Sequence, residues 1–177
     1  TTGKVKDIEK LDNGFSLMEG LHHELIDKIY RTDGIDPSEL GPTHVRSNHY
    51  FILKNGKSSV LAFYNPISKL IEKVEKRSAY GITPKNAEQA FALHAVLNPN
   101  VRLVSLMGVA GTGKTLLALA GAMERRREFR QIYMARPVVP LSNKDIGYLP
   151  GDIKSKLDPY MQPLWDNLKF IQSQFKD

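Results

Sequence analysis

Cysteine is absent from the 177 residues, which excludes a disulfide framework, a thiolate metal site and a thiol nucleophile, and fits a reducing compartment. Long hydrophobic runs are missing too. No apolar stretch approaches the roughly 20 residues that span a bilayer, and the N-terminal TTGKVKDIEK has no signal-peptide core. The chain therefore reads as cytoplasmic, with no membrane partner, and because it starts at Thr1 it reads as a piece of something longer. Neither an internal repeat nor a low-complexity tract occurs. Acidic residues are the scarcer sign, 19 against 25 basic, for a net charge of +6 and a pI near 9.4. That balance favours a polyanionic partner such as nucleic acid. The densest basic run, ERRREFR at 124–130, falls at the end of a predicted helix, where cations suit the negative end of the dipole. A solvated helix end is the favoured reading of this run.

What is present is 41% apolar and 25% charged, ordinary for a globular domain. Asn13-Gly14 and Asn55-Gly56 each separate β-rich runs, and Asn-Gly tolerates the positive φ of a type I′ turn, so two hairpins are expected. Between them, Leu21, Leu25 and Ile29 lie at i, i+4, i+8 on one face of a short helix, followed by the loop TDGIDPSELGPT. Residues 1–64 are expected to form a small β-rich module. A helix beginning near Pro66, with Ile67, Leu70, Ile71 and Val74 on its stripe, is expected to connect modules through a linker at 65–82. Thr83 suits the N-cap and Pro84 the first position of another helix, which presents Ala87, Ala90, Phe91, His94 and Leu97 on one face. The run VRLVSLM at 101–107 reads as a strand buried on both faces of a parallel sheet, and QIYMA at 131–135 reads as a second. With the helix former TLLALAGAMERRR between them, they predict a βαβ unit. Residues 83–177 are then the front half of an α/β P-loop domain.

The turn inside that unit carries the chemistry. Gly108, Gly113, Lys114 and Thr115 satisfy G-x-x-x-x-G-K-[ST]. Glycines let backbone N–H groups turn inward around phosphates, Lys114 reaches the β- and γ-oxygens, and the Thr115 hydroxyl ligates Mg²⁺. The pattern becomes specific because it sits between a predicted strand and a predicted helix. Gln89, 25 positions before Lys114, offers an amide that pairs in two directions with the edge of adenine and so favours ATP without charge.

The segments ITPKNAEQAFALHAVL, LVSLMGVAGTGKTLLALAGAM and IYMARPVVPLSNKDIGYLPGDIKSKLDPYMQPLWDNL resemble the PhoH-like ATPase family, especially members with a PIN nuclease domain ahead of the ATPase. The likeness is dense from about Asn48 to Phe170 and rests most specifically on ARPVVP and GYLPGD…KLDPYMQP. It implies a core like that of superfamily 1 helicases, acting on single-stranded RNA as a ring-shaped homo-oligomer. Carried over by position, Gln89 is the adenine reader, and Gly111, Thr112, Gly113, Lys114 and Thr115 form the phosphate and magnesium cradle. Arg136 and Pro137 match the family's strand-end pair. Arg136 is thus a candidate for facing nucleic acid or sensing phosphate, with a structural ion-paired role equally open. Gly147, Leu149, Pro150 and Gly151 match a family loop to which no chemistry attaches.

Hydrolysis needs carboxylates to hold Mg²⁺ and orient water. After QIYMA the acids are Asp145, Asp152, Asp158, Asp166 and Asp177, none ending an apolar run. The catalytic carboxylates, and the nuclease domain, are expected outside the chain, which alone should bind ATP and hydrolyse it poorly. His22 and His23 point to different helix faces, poor geometry for a metal. Tyr50, Phe51, Phe63 and Tyr64 suit base stacking, but strand alternation favours them as core. Two other readings stay open. One is a small-molecule or nucleotide kinase, against which stands the lack of any arginine after Arg136. The other is a non-catalytic nucleic-acid-binding module with ATP as a structural ligand.

Overall fold

The structure, a computed structural model, describes residues 13–41, 45–56, 58–135 and 153–175. The chain divides into two compact units, Thr1–Lys76 with Lys85–Phe91, and Arg77–Pro84 with Ala92–Asp177.

The first unit is built on a four-stranded sheet in the order β1 (Phe15–Met18), β2 (Tyr50–Lys54), β3 (Ser59–Asn65) and β4 (Leu70–Lys73). β1 runs parallel to β2, with Phe15 opposite Tyr50, and the other neighbours are antiparallel. A parallel neighbour needs a crossover, which α1 (His23–Arg31) and a 3₁₀ turn at Pro37–Leu40 supply. Alternation then sorts the faces: Phe51 and Leu53 of β2, Val60 and Ala62 of β3 and Ile71 of β4 are buried with Ile26 and Ile29 of α1 and Ile35 and Leu40 of the connection. The predicted stripe of α1 is shifted, since the helix starts at His23, after Leu21, and its buried residues are Ile26 and Ile29. Leu21 and Leu25 pack partly buried against the same core.

The hairpin expected at Asn55-Gly56 joins β2 to β3. Its loop is four residues long rather than the two of a type I′ turn: Lys54 pairs with Ser59, and the Ser58 N–H donates to the Asn55 side-chain oxygen at 3.1 Å. The first arm of the Asn13-Gly14 hairpin lies outside the described residues; Gly14 has φ 76° and leads into β1. The helix expected from Pro66 is not formed. Residues 66–69 turn and the chain returns as β4. The Asn65 side-chain oxygen accepts the Ile67 N–H at 3.0 Å, Lys69 adopts φ 60°, and its N–H reaches the Asn65 carbonyl at 2.8 Å. An Asn-Pro pair starts a turn, and here it overrides helical spacing that four apolar residues fit only by chance. Ile67 is exposed while Ile71 and Val74 are buried.

The hairpin aromatics are core. Tyr50, Phe51 and Phe63 are buried and Tyr64 packs against the core. Tyr50 lies 4.7 Å from the Phe91 ring and 5.9 Å from that of Phe63, and Phe15 lies 5.8 Å from Phe91, ring to ring. Burial pushes the Tyr50 phenol well above its ordinary value, so it stays neutral.

The helix α2 spans Ala87–Leu97, starting three residues later than Pro84. Asn86, not Thr83, accepts the Gln89 N–H, at 2.9 Å, and the Thr83 hydroxyl instead pairs with that of Ser78 at 2.8 Å. In the second unit, Leu93 of α2, Leu117, Leu119 and Ala120 of α3 (Lys114–Glu124) and Ile171 of α4 (Ile153–Ser173) are buried with Ala79 and Ile82. Ala79 and Ile82 pair across Tyr80 and Gly81, which have φ 45° and 78°. Two successive positive φ values are what a type I′ turn demands.

The helix α3 is where the sequence placed it. The two flanking strands are not: 101–107 and 131–135 carry no strand hydrogen bonding. A buried parallel strand is defined by the neighbours that pair with it, and among the described residues neither run has one. Leu103 and Tyr133 are 88% and 87% exposed. No helix of the described residues is long and apolar enough to cross a membrane.

Candidate nucleotide site

Between the exposed run at 101–107 and α3 lies the glycine loop. Gly108, Gly111 and Gly113 have φ of 152°, 81° and 86°. Gly113 is also the residue before the first turn of α3, so the left-handed conformation there sets the angle at which loop becomes helix, and a side chain at this position is strained. The Leu117 N–H closes the first helical turn on the Gly113 carbonyl at 2.8 Å. The loop thus delivers the positive end of the α3 dipole and its leading N–H groups to one place, the usual arrangement for an anion.

Lys114 points back over this loop. Its Nζ donates to the Gly108 and Val109 carbonyls, both at 2.7 Å, and lies 3.4 Å from Thr112 Oγ1. Thr112 Oγ1 itself donates to the Val109 carbonyl at 2.8 Å. The loop, the lysine and the helix start are therefore brought together as the motif requires, with the cation held against backbone carbonyls. Thr115 is exposed on the first turn of α3. Beside it, Ala118, Ile132, Met134, Met161 and Leu164 line a cleft of about 480 Å³ that is mainly apolar.

The remaining residues singled out in the sequence are not part of that cluster as described. Gln89 belongs to the first compact unit and the loop to the second. Its side-chain oxygen accepts the Lys85 N–H at 2.8 Å, a bond across the start of α2. Arg136, Pro137, Gly147, Leu149, Pro150 and Gly151 lie outside the described residues. Among the described residues no group of three His, Asp or Glu is placed to hold a metal, and His23 pairs with Asp27 at 3.0 Å. The donors present fit polyphosphate well and offer a cation the Thr115 hydroxyl. Sequence reasoning did not find the bond from Lys114 to the loop carbonyls, since no pattern in residue type marks where a lysine folds back.

Comparison with known proteins places the chain in a family. The family model described as PhoH-like protein matches residues 81–176, a span holding the glycine loop and α3. Protein PhoH2 of Bacillus subtilis (strain 168) is 33% identical over 176 residues, which is 95% of this chain and 39% of the relative. Protein PhoH2 of Mycolicibacterium smegmatis is 34% identical over 155 residues, 85% of this chain and 35% of the relative. A PhoH-like protein of Bacillus subtilis is 44% identical over 68 residues, covering 37% of this chain and 21% of that protein. The chain thus spans about two fifths of the length of the first of these relatives. No solved structure matches it. With more than half of its residues under the family model and its glycine loop within that span, the chain belongs to the PhoH-like family.

Proposed function

We propose that this chain is the nucleotide-binding part of an RNA-directed ATPase with a P-loop, superfamily 1 helicase-like core. The observation that carries the reading is the loop of three positive-φ glycines running into α3 with Lys114 folded over it. Gly111, Thr112 and Gly113 shape the cradle. Lys114 exchanges its carbonyl partners for the β- and γ-oxygens of ATP and holds them as a charged donor. The Thr115 hydroxyl would help hold Mg²⁺, which would neutralise charge on the phosphates. Gln89 reads adenine, and Arg136 faces the nucleic acid or senses phosphate. Single-stranded RNA as partner is supported by the net charge of +6 and by the family likeness, and assembly into a ring of like chains by the family likeness alone.

The test is titration with a fluorescent ATP analogue in the presence of Mg²⁺. Lys114→Ala is expected to weaken binding at least tenfold, since a hydrogen bond from a charged donor contributes about 1.5–3 kcal/mol. Equal affinity in wild type and variant would remove the cradle assignment. Gln89→Ala is expected to reduce the preference for ATP over GTP while leaving binding of inorganic triphosphate unchanged. In a longer polypeptide that includes this chain, turnover of ATP is expected to rise with single-stranded RNA, and transfer of phosphate to a small acceptor instead would support a kinase.

A further inference from the structure

A second cavity, of about 380 Å³, opens at the far end of α3 and is lined by Tyr80, Gly81, Glu124, Arg126, Arg127 and Phe175. All six belong to the second compact unit. Its floor is a stack of flat groups: the Arg126 guanidinium lies over the Tyr80 ring at 4.8 Å, and the Tyr80 and Phe175 rings are 4.8 Å apart. Several separate contacts hold the stack in place. The Tyr80 N–H donates to Glu124 Oε2 at 2.6 Å, the type I′ turn fixes the Tyr80 backbone at φ 45°, and Arg126 Nη1 donates to the Met123 carbonyl at 3.0 Å. An exposed arginine ordinarily gives up rotamer freedom when it binds. Arg126 has already given it up.

Two features point to a ligand that is both planar and anionic. Phe175 is 56% exposed although it stacks on Tyr80. Arg127 is exposed beside Arg126 and makes no ion pair among the described residues. Glu124, whose carboxylate accepts the Tyr80 N–H, is the one carboxylate in the lining against two arginines, so the cavity keeps a net positive charge. Planar guanidinium and aromatic faces stack nucleobases whatever their sequence, and a neighbouring arginine holds the phosphate.

We propose that this cavity is a subsite for one nucleotide of a single-stranded polynucleotide, with the base stacked on the Arg126–Tyr80–Phe175 group and its phosphate on Arg127. The proposal rests on the reading of the chain as RNA-directed and gives that reading a location separate from the glycine loop.

Fluorescence anisotropy with labelled oligouridylate and oligothymidylate, together with an abasic oligomer of equal length, tests it on the whole chain. Tyr80→Leu and Arg126→Gln are each expected to weaken oligonucleotide binding by about fivefold or more, the scale of losing one stacked base. The abasic oligomer should bind wild type weakly and not distinguish the variants. Arg127→Gln is expected to lower the slope of log affinity against log salt by about 0.7, the value for one phosphate of a single strand. The ribo- and deoxyribo-oligomers tell which strand the site takes, and a response in either that falls in the variants supports the subsite. Arg126→Gln leaves the turn intact and guards against a folding defect in Tyr80→Leu, with melting curves as the check. Wild-type affinity in both variants would overturn the subsite while leaving RNA direction standing. If no oligonucleotide binds wild type, both fall, while ATP binding at Lys114, measured separately, stands or falls on its own.

Discussion

Gly121 shows how a single hydrogen atom in place of a methyl group decides a packing distance. A Cβ built there would lie 2.3 Å from Val96 Cγ1, far inside contact, so α3 and the end of α2 approach as closely as they do only because position 121 has no side chain. Overpacking of this kind costs about 1–3 kcal/mol. Gly121→Ala is therefore expected to lower the midpoint of thermal unfolding by roughly 2–10 °C for a chain of this size, and Val96→Ala in the same chain to restore most of it. If the double variant melts no higher than Gly121→Ala alone, the close approach is not the cause. Gly113 poses a different demand, one of backbone angle. At φ 86° a β-carbon is strained by about 1–2 kcal/mol, so Gly113→Ala should lose affinity for a nucleotide together with some stability. The phosphate motif itself was fully legible in the residues, because glycine, lysine and threonine at fixed spacing have few other uses. Gly121 was not legible, since nothing in a helical LLALAGA run says which small residue faces another helix.

Elements were legible where one local signal ruled and misread where two competed. α1 formed with its apolar stripe shifted, α3 formed where its helix-forming residues put it, and Asn55-Gly56 joined a hairpin. At 66–74 the apolar spacing suited a helix, yet the side chain of Asn65 closes the turn that starts β4. Asn65→Ala removes that bond and the one to Glu72 at 3.0 Å, and is expected to destabilise the first unit by about 1 kcal/mol, as for a lost side-chain cap; denaturant unfolding followed by tyrosine fluorescence measures it. The 3₁₀ turn has its own pH dependence. Asp36 accepts from the Ser38 hydroxyl and N–H, and Glu39 accepts from Lys28 Nζ and the Asp36 N–H. Those bonds hold both carboxyls below their ordinary values of 3.8 and 4.5. A carboxyl whose value is depressed by folding stabilises the folded state above its unfolded value, and that contribution disappears as pH falls through the folded one. The stability difference between wild type and Asp36→Ala is thus expected to be constant near neutrality and to shrink below about pH 4. A difference unchanged at pH 3 would mean the ionised form is not what caps the turn.

For the whole molecule, the sequence announced its class and its charge but not which apolar runs find partners. Runs at 101–107 and 131–135 have the composition of strands buried in a parallel sheet, yet among the described residues neither pairs with a neighbour. Leu103 and Met107 of the first run, Val109 just after it and Tyr133 of the second run lie in the open. Exposed apolar side chains of this size promote association, so Leu103→Ser combined with Tyr133→Ser is expected to raise the concentration at which the chain begins to self-associate, read by light scattering. An unchanged threshold would show that these residues do not drive it. The same runs have a further consequence for amide hydrogens. Backbone N–H groups without ladder partners trade deuterium rapidly, whereas those of β2 and β3 are locked in pairs such as Phe51 with Ala62. Residues 102–107 therefore serve as a built-in reporter: any partner that bonds their backbone will announce itself as a block of slowed exchange, in a protein whose β2 and β3 amides are expected to be slow already.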